Sequence, residues 1–124
     1  MRYAVALGVA ALLLLIAGCG GGDGNTFKNP HGTIHVKKGA EFRVEFTVNS
    51  GVGFDWAQIP RLERSILSPA KVTTSYPDEN RAGQSGTKTF TYTAKRTGQE
   101  TVVFQHVFRG QPRERRTIVV DVAG

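Results

Sequence analysis

The sequence predicts an all-β chain, an immunoglobulin-like antiparallel β-sandwich of about seven strands. Three observations carry that expectation. Apolar residues recur with period two, most cleanly over Glu41 to Val48, where Phe42, Val44, Phe46 and Val48 alternate with Arg43, Glu45 and Thr47. Turn-forming clusters such as Lys37-Lys38-Gly39, Pro77-Asp78-Glu79-Asn80 and Arg96-Thr97-Gly98 separate short runs of this kind. No stretch beyond the leader carries a convincing helical period.

The leader comes first. Arg2 supplies a positive charge, Ala4 to Ala17 is apolar or glycine throughout, and Ala17-Gly18 precede Cys19. The run is shorter than the roughly 20 residues a spanning helix needs, so it reads as a secretory signal. Small residues directly before a cysteine resemble the bacterial lipobox, which makes residues 1–18 a lipoprotein signal peptide and Cys19 the expected lipid attachment. More than one acyl chain gives stable membrane attachment. Gly20 to Gly24, with Asp23 among them, then serves as a flexible tether, so residues 19–31 are read as lipidated cysteine and tether, and 32–124 as the folded domain. The expected location is the bacterial cell envelope, on a membrane and facing the periplasm or the exterior. Cys19 is the single cysteine, so the mature chain can form no internal disulfide and offers no core thiolate for a blue-copper site.

Within the domain, Thr33 to Val36 is a short strand and Glu41 to Val48 a half-buried one. Phe54 to Ile59 follows, stopped by Pro60, which cannot continue a ladder. Arg61 to Ala70 reads as a loop or helical turn. Val72 to Tyr76 and Gly86 to Lys95 are strands, the latter with Phe90, Tyr92 and Ala94 on one face and threonines on the other. Thr101 to Phe108 is nearly continuous Val and Phe, the pattern of a central strand buried on both faces, and Thr117 to Val122 closes the fold.

A sandwich does not fix function; its loops do. Three connections fall at alternate positions and should gather at one end of the molecule: Asn49 to Gly53, Arg81 to Gly86, and Phe108 to Pro112. The first is Asn49-Ser50-Gly51-Val52-Gly53-Phe54-Asp55-Trp56, a glycine-rich turn followed by two aromatics on one strand face, expected to sink into the core and hold the loop. The second contains Gly83-Gln84-Ser85-Gly86. In the third, Phe108-Arg109-Gly110-Gln111-Pro112, Phe108 is either a core residue in phase with Phe104 or an aromatic contact at the loop.

These motifs, in this order, resemble the chagasin family, the I42-type inhibitors of papain-like cysteine peptidases. That family carries an N-P-T-T-G-[FY]-x-W stretch, a G-x-G-G loop and an R-P-W loop. Asn49, Gly53, Phe54 and Trp56 keep the first pattern; Ser85 stands where the second usually has glycine; Arg109 alone keeps the third, with Gly110 and Gln111 in place of proline and tryptophan. The resemblance extends from about Gly32 to Val122. It implies a non-covalent inhibitor whose first loop lies across the peptidase's catalytic cysteine while the other two grip the cleft. The implied contacts are Asn49, Ser50, Gly51, Val52, Gly53, Phe54, Trp56, Gly83, Gln84, Ser85, Gly86, Arg109, Gly110 and Gln111. The partner is then a papain-like peptidase, the inhibitor a monomer. A non-inhibitory binding or scaffold module of the envelope on the same fold is the second expectation.

Other classes fit less well. His31, His35 and His106 are the only histidines, no serine sits in a nucleophile-elbow context, and the carboxylates lack metal-loop spacing, so no enzyme, metal or cofactor is expected. Of these histidines, His106 reads as a core or sheet-surface residue. The net charge is +6, falling to +5 when Arg2 leaves with the signal. Its basic residues are scattered and match no nucleic-acid reader motif, so attraction to anionic lipid or an acidic partner is the better account.

Overall fold

The computed structural model describes residues 25–60, 65–78 and 83–124. The expected signal peptide, Cys19 and the glycines up to Gly24 lie outside them, as do 61–64 of the irregular segment and 79–82 around the start of the second loop. Among the described residues are eight strands: β1 Thr26–Lys28, β2 Gly32–Lys37, β3 Glu41–Val48, β4 Phe54–Gln58, β5 Lys71–Ser75, β6 Gly86–Thr93, β7 Gly98–Phe108 and β8 Gln111–Ala123. They form two four-stranded sheets, ordered β1-β3-β6-β5 and β2-β8-β7-β4.

The expected sandwich is present, with one difference in the pairing. The inner pairs are antiparallel, but β1 runs parallel to β3 and β2 parallel to β8. Thr26 to Lys28, read from the sequence as tether, is a strand of the domain. Its ladder continues outward, with Arg43 N–H donating to the Asn25 carbonyl at 2.8 Å and Asn29 N–H to Glu45 at 2.7 Å. After β1, Asn29 at φ 44° and Gly32 at φ 72° swing the chain from one sheet to the other.

β3 behaves as its alternation demands, with Phe42, Val44, Phe46 and Val48 all buried. Opposite them lie Trp56, Val102, Phe104, Ile118, Val120 and Val122 of the second sheet, so the two inner faces make one apolar core. Phe46 is its hub: its ring stacks on Trp56 at 4.5 Å and meets Phe104 at 4.8 Å and Phe90 at 6.2 Å. β7 is central, as expected, but only one of its faces is buried. Val102 and Phe104 point inward, while Thr101 is exposed and Val103 half-exposed on the outer side.

The inward row of β6 runs Tyr92, Phe90, Lys88, Gly86. Lys88 is the exception to its apolar character, and its position explains it. It lies beside the open edge of β4, where its Nζ donates to the Trp56 carbonyl at 2.6 Å and to Asp55 Oδ1 at 3.1 Å. The charge thus closes the sandwich edge next to Trp56 and stays paired. Of the irregular segment, 65–70 is fastened through Ser65 Oγ and Ile66 N–H to the Glu100 carboxylate and through Ser68 to Thr93.

Candidate functional site

The three connections do meet at one end of the sandwich, and hydrogen bonds join them directly. In the first, Asn49 and Phe54 pair backbone to backbone, with N–H to O distances of 2.8 and 2.9 Å. That pair closes a loop in which Ser50–Val52 form a 3-10 turn and Gly53 takes φ 79°. The left-handed angle explains why glycine stands there. The loop is therefore a wound turn, more ordered than its two glycines suggest.

Each flank is tied to it. On one side, Asn49 Nδ2 donates to the Gly83 carbonyl at 2.8 Å, and a Cβ on Gly51 would sit 3.3 Å from the Gly83 nitrogen. Glycine at 51 thus serves close approach between loops. Asn49 Oδ1 is buried with no protein partner, so this side chain is spent on one bond and held by packing. Also on this side, the Tyr76 hydroxyl meets Ser50 Oγ at 2.5 Å and accepts the Ser50 N–H at 3.2 Å. On the other side, Arg109 N–H donates to the Gly53 carbonyl at 2.8 Å.

The second loop is braced internally, with Gln84 Nε2 donating to the Asp78 carbonyl. Gly86 lies beneath the Tyr76 ring, where a Cβ would come within 2.6 Å of both that ring and the Ser75 carbonyl. Ser85 is exposed. The third loop is tighter than expected. Phe108 pairs with Gln111, leaving Arg109-Gly110 as a two-residue turn with φ of 50° and 77°. Two successive positive angles are the mark of the mirror-type hairpin turns that suit the strand twist. Gln111 and Pro112 accordingly belong to β8, and only Arg109 and Gly110 form the tip.

Beneath the loops, Phe54 is half-buried and Trp56 is 4% exposed, so the pair anchors the first loop as the sequence implied. His106, on β7 and paired with Trp56 across the β4–β7 ladder, packs against both rings. Its ring lies 4.2 Å from Phe54 and 5.1 Å from Trp56, and its Nε2 is buried with no protein partner. The guanidinium of Arg116 covers the Trp56 ring at 5.0 Å. Phe108 is half-buried in register with Phe54, and the guanidinium carbons of Arg109 and Arg113 lie 5.2 and 5.7 Å from its ring centre. It is thus both a packing partner of the first loop's anchor and part of the loop-end surface. At the tip of the first loop Val52 is 44% exposed, an apolar side chain held out by a wound turn.

A family model described as the chagasin family of peptidase inhibitors, I42, matches residues 35–122. The chain belongs to this family. Its members are inhibitors of peptidases, not enzymes. Among solved structures, the fold resembles a cysteine protease inhibitor from Entamoeba histolytica, EhICP2, at TM-score 0.63 and 16% identity, covering 80% of this chain and 95% of that one. It also resembles amebosin (TM-score 0.54, 20% identity, 79% and 96% covered). A third neighbour, PbICP-C, was solved in complex with falcipain-2 (TM-score 0.54, 12% identity, 80% and 98% covered). A search of curated proteins finds no match.

Sequence reasoning named the loops but missed what holds them in this chagasin-family domain. Tyr76 ends a polar strand with no pattern to single it out. Lys88 occupies an inward position that alternation alone assigns to an apolar residue. Arg113 sits in a charged run that reads as solvated surface. Among the described residues no three His, Cys, Asp or Glu side chains gather as metal ligands. His35 is engaged instead with Asp121, at 3.1 Å on the surface.

Proposed function

We propose that this chain inhibits papain-like cysteine peptidases by non-covalent occlusion of the cleft, with the first loop as the wedge. One observation carries the reading: Asn49 to Gly53 stands between two flanking loops, fixed to both by hydrogen bonds, with Val52 exposed at its tip. A peptidase cleaves segments laid in its cleft in extended form. Here the chain from Asn49 to Phe54 is wound and closed by its own backbone pair, so no scissile bond is offered in that form. Because the loop is fixed before it binds, little ordering entropy is lost on association. The complex of PbICP-C with falcipain-2 lends support by likeness of fold.

The same reading includes lipidation at Cys19, export by the leader, a tethered monomer at the bacterial envelope, and a target in the periplasm or outside the cell. The alternative, an envelope binding module without inhibitory activity, draws on the third loop, whose two-residue tip carries no aromatic side chain.

The deciding experiment titrates the chain from Gly20 onward against papain and a cathepsin L-type peptidase with a fluorogenic substrate. The expected result is reversible inhibition with a Kd on the order of nanomolar to micromolar. A folded protein that leaves both peptidases untouched at tens of micromolar, as an order of magnitude, refutes inhibition and leaves the binding module.

A further inference from the structure

The charges of the loop end are unevenly placed. Residues 49–53 of the first loop carry none, nor do Gly83 to Ser85 of the second, and Asp55 beside them is held by Lys88. The β7–β8 hairpin differs. Between Gln105 and Thr117 it carries Arg109, Arg113, Arg115 and Arg116 against a single carboxylate, Glu114. Glu114 faces Arg116 at 3.6 Å, and Arg115 Nε donates to Gln105 Oε1 at 3.1 Å. Among the described residues no ion pair engages Arg109 or Arg113, and both are exposed.

These two guanidinium groups are nevertheless positioned. Both lie over the Phe108 ring, at 5.2 and 5.7 Å, and Phe108 is fixed by its register with Phe54. Contact with the ring face engages the flat side of a guanidinium and leaves its in-plane N–H donors free to fork onto a carboxylate. Arg109 is further fixed through its backbone bond to Gly53. The hairpin therefore presents two pre-set carboxylate receptors on one flank of the wedge, where the two-residue tip carries no aromatic side chain.

We infer that Arg109 and Arg113 on Phe108 form a specificity surface for peptidases whose cleft is bordered by acidic residues on the side that receives the β7–β8 hairpin. This deepens the inhibitor reading and rests on it. Opposite charge beside the cleft accelerates encounter, and exposed charge pairs act mainly on the association rate and its salt dependence.

The test measures association rates of the full chain in non-ionic detergent, from progress curves with a fluorogenic substrate. One papain-like peptidase of acidic and one of basic isoelectric point are compared at about 50 and 500 mM NaCl. The acidic enzyme should be captured faster, with a rate that falls about tenfold at the higher salt. Arg109→Glu and Arg113→Glu should each slow that capture several-fold and flatten its salt dependence. Lys38→Glu, the same charge change in the exposed turn at the far end of β3, should leave it unchanged. Inhibition with rates indifferent to salt and to both arginine variants overturns this inference and leaves the inhibitor reading standing. Equal slowing by Lys38→Glu also overturns it, since net charge would then be the cause. Inhibition of neither peptidase by the unaltered chain overturns the inhibitor reading, and the inference with it.

Discussion

The hydroxyl of Tyr76 meets Ser50 twice, lying 2.5 Å from its Oγ and accepting its N–H at 3.2 Å. This joins the far end of β5 to the first turn of the first loop. The Ser-Gly-Val-Gly stretch has no proline to stiffen it; its order comes from the Asn49–Phe54 backbone pair that closes it and from outside, through Tyr76, Gly83 and Arg109. The free energy of holding the loop in shape is thereby met in folding, before any partner arrives.

Replacing Tyr76 with Phe keeps the ring and removes both bonds. Each such bond contributes about 1 kcal/mol, so stability should fall modestly. If the loop is the wedge, peptidase affinity should fall by roughly three- to tenfold, mostly through faster dissociation. Denaturant midpoints and inhibition constants for the same preparation separate the two effects.

Gly86→Ala should be costlier than its size suggests. The added methyl would lie 2.6 Å from the Ser75 carbonyl and the Tyr76 ring, and the former is backbone that cannot step aside. A loss of about 1–3 kcal/mol is expected, read as a lower urea midpoint with an unchanged m-value. Inhibition should weaken along with it, because Tyr76 is displaced from Ser50.

Trp56→Ala removes the largest anchor beneath the first loop, and a loss of about 3–5 kcal/mol is expected. Trp56→Phe keeps a ring over Phe46 and should retain most of the stability. As Trp56 is the sole tryptophan, its fluorescence reports unfolding of the parent directly, and circular dichroism serves for both variants.

Val52→Asp tests the tip alone. The side chain is exposed and makes no part of the core, so the thermal midpoint should move by no more than a degree or two. A carboxylate entering an apolar slot would be stripped of water without a partner, so inhibition should drop at least about tenfold. A variant that inhibits as well as the parent would show that the first loop is not the wedge.

How far the sequence spoke depended on whether a residue's neighbours in space were also its neighbours in pattern. β3 was legible because one of its faces is buried along its whole length. Phe54 and Trp56 were legible as anchors for the same reason. The three-residue β1 was not, since its parallel pairing with β3 leaves no local signature and only Phe27 packs inward. At the start of β8, Gln111 and Pro112 read as loop and the exposed Arg113-Glu114-Arg115 has no strand pattern; hydrogen bonding to β7 makes the whole segment strand. In the loops, Asn49 and Gly53 were named by motif. Their partners Gly83 and Arg109 were named too, but Tyr76 was not, since a hydroxyl reaching across 26 positions leaves no trace in local sequence.

β8 lies between β2 and β7, and its parallel register with β2 joins Gly32 to Ile118 and Lys37 to Ala123. The other sheet is complete by Thr93, yet the side chains that cover its inner face include Ile118, Val120 and Val122. The second sheet thus stays split, β2 apart from β7 and β4, until β8 is available. Such far-reaching pairing slows folding. The sandwich therefore cannot close until β8 is available, and a copy cut short before Ile118 would leave β2 with no neighbour.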